Sequence, residues 1–278
     1  MPPTEPQPPV PHPQPAARPE PRPVGGRILV VEDSPLNQML VSAILVQAGH
    51  RPDIANNGLE AVMAAQAGGY DLILMDLSMP EMDGLTATRL VRGLPGAAGR
   101  VPVVAMTADT DEADRTRCQG AGMNDHVAKP VDRAQLLATV GKWLQASLPA
   151  GFGPGNAVPA AREGEVLDHD VLAQLAQDLD ADLLEDVLRQ FVAETRERVE
   201  RMAAAADTAI LMREAHTLKS TAGTFGARAL CAAARTLEAA CREAEAGGPA
   251  DEADRLRGEI PRLAGEAIAA YRAAGYPV

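Results

Sequence analysis

Between residues 26 and 146 the chain alternates short apolar runs with amphipathic stretches, and this alternation limits the fold more than any other feature. RILVV, LILM and VPVVAM are apolar without a polar residue at every second place, as strands covered by helices on both faces must be. DIA and HVA are weaker runs and read as sheet edges. Helical segments are expected from Pro35, Gly58, Gly84, Asp111 and Asp132. Five βα units of this kind predict an α/β doubly wound sheet, flavodoxin-like in its strand order 2-1-3-4-5, whose reactive groups gather at the carboxyl ends of the strands.

Two breaks in composition bound this region. Residues 1–25 form a proline-rich segment expected to be disordered: 11 of the 23 prolines lie in residues 1–24, with too little apolar surface to offset the entropy of ordering. Residues 147–165, containing LPAGFGPGNAVPA, read as a flexible linker. Residues 166–278 have apolar positions three and four apart, among them Val171, Leu172, Leu175, Leu184, Val187, Leu188, Phe191, Val199 and Met202. They predict an all-α helical bundle.

Charge and cysteine usage exclude several classes of function. The net charge of -12 argues against nucleic acid, which needs clustered Lys and Arg. Cys118, Cys231 and Cys241 form no CxxC pair and read as packing residues of a reducing, cytoplasmic setting. No apolar run reaches the ~18 residues of a membrane span, so no membrane insertion is expected.

The strand-end rule collects specific chemistry. The first strand ends in Glu32-Asp33, the third in Asp76, the fourth in Thr107 and the fifth in Lys129. Strands one and three are neighbours in the expected order, so three carboxylates converge and repel one another unless a cation lies among them. Mg2+, which prefers hard oxygen ligands, suits such a cluster. Thr107 and Lys129 supply a hydroxyl and a fixed positive charge, the parts that stabilise a phosphoryl group carried on a carboxylate. Each residue alone has a plainer reading: Asp33 or Ser34 as the cap of the helix begun by Pro35, Thr107 as another cap, Lys129 as a solvated charge. Their shared edge favours chemistry. A haloacid-dehalogenase-type phosphatase also uses a strand-end aspartate, but its second aspartate, two positions on, is here Ser78.

VVEDSPLNQ, LILMDLSMPEMDG, VVAMTAD and DHVAKP together resemble the signature segments of a two-component response-regulator receiver domain. The resemblance implies Asp76 as phosphoacceptor, Mg2+ held by Glu32, Asp33, Asp76 and the backbone carbonyl of Ser78, and Thr107 and Lys129 on the phosphoryl oxygens. It also implies a cis peptide before Pro130. His126 stands where many receivers carry Tyr or Phe as a switch residue, a departure from the pattern.

In REAHTLKSTAGTFGA the core stripe is Leu211, Ala215, Leu218, Ala222 and Phe225. At about 100° per residue, His216 lies roughly 140° from that stripe and is expected to point to solvent. Lys219 lies one turn on, and Ser220 and Gly223 leave a low face over which another domain could approach the imidazole. This segment resembles the signature of a histidine phosphotransfer (HPt) domain, in which His216 carries the phosphoryl group and Lys219 assists; Ser220 stands where Gly is frequent. No P-loop or DxGxG segment for taking phosphate from ATP is found. The chain is therefore expected to be a phosphotransfer protein and no kinase: a phosphorelay intermediate of two-component signalling. A sensor histidine kinase would supply Asp76, and the group would pass through His216 to the receiver of another response regulator. Two alternatives stand beside this reading, a phospho-regulated binding module and a phosphate sink running from His216 to Asp76.

Overall fold

A computed structural model describes residues 25–107, 112–145 and 165–278. Apart from Gly25 and Glu165, the proline-rich tail and the linker fall outside them.

The first region is built of β1 (Arg27–Val31), α1 (Pro35–Gln47), β2 (Arg51–Ala55), α2 (Gly58–Ala67), β3 (Leu72–Asp76), α3 (Gly84–Arg92), β4 (Val103–Thr107), α4 (Glu112–Ala121), β5 (Asp125–Ala128) and α5 (Arg133–Gln145). All four strand pairings are parallel and the order is β2-β1-β3-β4-β5, as the run pattern predicts. β3 and β4 are buried along their whole length, which is why their sequences show no alternation. β2 is half-exposed, as an edge strand should be. β5, the opposite edge, is fully buried. Part of its cover comes from α5, where Lys142 and the Trp143 indole donate to the Asp125 carboxylate at 2.6 and 3.0 Å.

The helix starts carry their own signals. The Ser34 hydroxyl accepts from the Asn37 amide and Pro35 fills the first turn of α1, so Ser34 and not Asp33 is the cap. Asn57 and Asp83 cap α2 and α3 in the same manner. The second region is wholly helical: α6 (His169–Asp178), α7 (Ala181–Ala204), α8 (Thr208–Thr224), α9 (Arg228–Glu245) and α10 (Asp251–Ala273). The predicted stripe of α8 is buried throughout, and Phe225 stacks on Phe191 of α7 with ring centroids 5.3 Å apart.

One apolar cluster fills the sheet face under α1 and α5 and continues into the bundle, while a separate cluster lies under α2, α3 and α4. The two regions are thus packed together through the α1/α5 side, with α1 against α7. Cys118, Cys231 and Cys241 are free thiols, the first and last buried. Among the described residues, no helix is long and apolar enough to cross a membrane.

Candidate functional site

The acidic cluster forms where β1 and β3 end. One carboxylate oxygen from each of Glu32, Asp33 and Asp76 lies within 4.8 Å of the others. Glu32 and Asp76 are buried, and the end of β5 brings the Lys129 ammonium between them, 2.6 Å from Glu32 Oε2 and 2.8 Å from Asp76 Oδ2. Burial and the charge of Asp76 raise Asp33 to about 6, against the weaker pull of Lys129. Burial also pushes Glu32 up to about 7 despite the adjacent ammonium, and that ammonium is held above its ordinary range by the two carboxylates, which outweigh its own burial. The donor set is all oxygen, and excess negative charge remains after Lys129 is counted, so the cluster fits a hard divalent cation.

Backbone close to Asp76 is fixed by glycine. A Cβ on Gly84 would lie 2.0 Å from the Asp76 carbonyl oxygen, so only glycine lets α3 begin this close to the strand end. Ser78 is exposed and its amide donates to Asp76 Oδ1 at 3.3 Å. Thr107 is buried at the end of β4, and its carbonyl accepts from the Lys129 amide at 2.7 Å, tying together the two strand ends expected to act as a pair. The Lys129–Pro130 bond is cis. His126 is turned inward and buried, and burial together with Arg115 lowers its basicity.

The second site lies on α8. His216 is off the core stripe as expected, but its side chain is only 17% exposed, which corrects the solvent-facing orientation. The helical wheel reports direction within one helix; it cannot report what a neighbouring element lays over that face. Here α9 does so with Glu238, 3.0 Å from His216 Nδ1 through one carboxylate oxygen and 2.7 Å from Lys219 Nζ through the other. Glu238 escaped the sequence reading because it lies 22 residues beyond His216 on another helix and reads as an ordinary charge of an amphipathic repeat. Burial would raise its carboxyl, but hydrogen bonds and charge from His216 and Lys219 prevail and hold it at about 2. An ionised carboxylate can only accept, so Nδ1 carries the hydrogen, and in the neutral imidazole the free lone pair is then on Nε2.

The two sites adjoin. Asn37 of α1 donates to Glu32 at 2.9 Å and reaches the Ser220 hydroxyl at 3.5 Å. Pro130 sits over Gly223, its Cδ 3.8 Å from where a Cβ would be. Glu32, Asn37, Lys129 and Thr224 line a crevice between the regions that leaves no room for a water molecule. Arg198 of α7 and His216 lie near enough to Asp33 to pull its carboxyl down against burial. The low face of Ser220 and Gly223 is therefore met by a domain, and that domain belongs to the same chain.

Residues 28–141 match the response regulator receiver domain family, and residues 169–266 match the Hpt domain family. The chain is a receiver domain joined to an Hpt domain. Among curated relatives, the sensor histidine kinase GacS of Pseudomonas protegens is 33% identical over 220 residues, 74% of this chain and 23% of that protein. Probable histidine kinase 1 of Oryza sativa is 37% identical over 148 residues, 42% of this chain and 15% of the relative. The chain thus spans less than a quarter of the length of either kinase. Among solved structures, the receiver domain of the Pseudomonas aeruginosa sensor histidine kinase PA1611, crystallised with a magnesium ion in its active site cleft, is 41% identical, with 44% of this chain and all of that one covered and a TM-score of 0.42. A co-crystal of the Saccharomyces cerevisiae phosphotransfer protein Ypd1 with the receiver domain of Ssk1 matches at 30% identity, with 44% of this chain and 89% of that one covered and a TM-score of 0.41.

Proposed function

We propose that the chain is a phosphorelay intermediate: Asp76 accepts a phosphoryl group from a sensor histidine kinase, and His216 receives it and passes it to the receiver domain of another response regulator. The observation that carries this reading is the juxtaposition of the two acceptors, with the carboxylate cluster at one side of a closed crevice and the His216 helix at the other.

In the first step a phosphoimidazole P–N bond breaks as an oxygen of Asp76 forms a P–O bond, with Lys129 and Thr107 donating to the phosphoryl oxygens. Mg2+ held by Glu32, Asp33, Asp76 and the Ser78 carbonyl would neutralise charge on those oxygens. In the second step the lone pair of His216 Nε2 attacks phosphorus, the P–O bond to Asp76 breaks, and Asp76 leaves as a carboxylate. The imidazole becomes cationic without losing its Nδ1 proton, and Glu238, 3.0 Å away, stabilises that charge. Lys219 lies close by to meet the phosphoryl oxygens.

The test labels wild-type, Asp76→Asn and His216→Gln chains with a phosphorylated kinase and separates acid-labile phosphohistidine from base-labile acyl phosphate. Asp76→Asn loses both labels and His216→Gln keeps the base-labile one. Acid-labile label on Asp76→Asn directly from the kinase would overturn the order of steps, and chase of label from His216 to Asp76 and then to free phosphate would make the chain a sink.

A further inference from the structure

The crevice between the domains is held by more than shape. At the first residue of α5, Arg133 reaches across to the last residue of α6: its Nη1 donates to the Asp178 carbonyl at 3.3 Å and its Nε lies 3.8 Å from the Asp178 carboxylate. The terminal carbonyls of α6 have no partner within their own helix and carry partial negative charge, so a guanidinium from the neighbouring domain answers both the backbone and the side chain there. Gln47 of α1 accepts from the same guanidinium at 2.6 Å and fixes its direction, while Gln174 holds Asp178 from the bundle side at 3.0 Å. The second polar contact is Asn37 with Ser220, one turn beyond His216. Between them lie Leu40, Val41 and Val131 of the receiver, lining the crevice with Thr224 of the bundle.

We infer that Arg133 with Asp178, and Asn37 with Ser220, select this chain's own receiver domain as the resting occupant of the His216 face, so that any other receiver reaches His216 only in competition with it. Ser220 is then a partner-choosing residue, where a glycine would offer Asn37 nothing. The own receiver acts both as donor to His216 and as its cover. This rests on the proposed exchange between Asp76 and His216, but the docking itself is measurable without any transfer.

The test uses full chains. Small-angle scattering is compared for wild type, Arg133→Glu and the swap Arg133→Glu/Asp178→Arg. Arg133→Glu should enlarge the particle and the swap should restore the wild-type dimension. In parallel, a His216→Gln chain labelled on Asp76 donates in trans to an Asp76→Asn chain. Adding Arg133→Glu to the acceptor uncovers its His216 while the donor's Arg133 can still meet the acceptor's Asp178, so transfer should rise about two- to fivefold, the factor of a part-exposed ion pair. Adding the swap to the acceptor re-covers His216 and repels the donor, so transfer should return to the starting rate or below. Unchanged scattering and unchanged trans rate in Arg133→Glu would overturn the inference. Enlarged scattering with no transfer between any chains would uphold the docking and remove the proposed exchange.

Discussion

Glu238 holds His216 Nδ1 at 3.0 Å and Lys219 Nζ at 2.7 Å with its two carboxylate oxygens. One buried acid thus fixes the imidazole's tautomer and keeps the lysine beside it. Replacing Glu238 by Ala should slow transfer from Asp76 to His216 about 10- to 100-fold, by analogy with the loss of a carboxylate that orients a metal-ligating histidine. Glu238→Gln, which keeps the shape but can present its amide as donor, should fall between Ala and wild type. Rapid-quench measurement of acid-labile label separates the three, and equal rates would remove the positioning role.

The same carboxyl makes a pH signature. Its folded value of about 2 lies below the ordinary 4.5, so its contribution to stability is complete above about 4.5 and is lost as the pH falls toward 2. Denaturant midpoints of wild type and Glu238→Gln should therefore converge across that window and differ most above it. A constant difference from pH 6 to pH 2 would contradict the ion-paired state.

Metal binding should follow pH in the same sense, but in a higher window. Glu32 at about 7 and Asp33 at about 6 hold protons that a cation must displace. Mg2+ affinity, read by titration of intrinsic or attached fluorescence, should rise from pH 5 to pH 8 and flatten above. Chelator should also stop labelling of Asp76 by a small acyl phosphate. Undiminished labelling in chelator would refute the metal site.

Lys129 is buried between two carboxylates, so Lys129→Met leaves both uncompensated. Loss of about 3–5 kcal/mol in chemical denaturation is expected without metal. Mg2+ should recover more stability in this variant than in wild type, because it meets the same excess charge.

Gly223 lies under Pro130. A single methyl would meet Pro130 Cδ at 3.8 Å, an ordinary contact, and Cys231 Sγ at a tighter 3.3 Å. Gly223→Ala should therefore keep transfer, whereas Gly223→Leu should push the receiver off and slow transfer by about 100-fold, the cost of a misplacement near 1 Å. Equal rates in both variants would show that this face does not set the approach.

Much of the molecule is written locally. Unalternating runs at β3 and β4 exist because both their faces are buried, so the layered sheet and its order follow from residue pattern alone. Once the order is known, the end of every strand is known, and Glu32, Asp33, Asp76, Thr107 and Lys129 fall on one edge without any coordinates. The stripe on α8 was equally legible, because helical period links residues only a few positions apart. Glu238 beside His216, Arg133 against Asp178 and Asn37 against Ser220 were not. Each joins residues on different elements, 22, 45 and 183 positions apart respectively. No periodicity relates such positions; only tertiary packing decides them, that of α9 on α8 for the first pair and of one domain against the other for the next two, and with them whether His216 faces water or its own receiver.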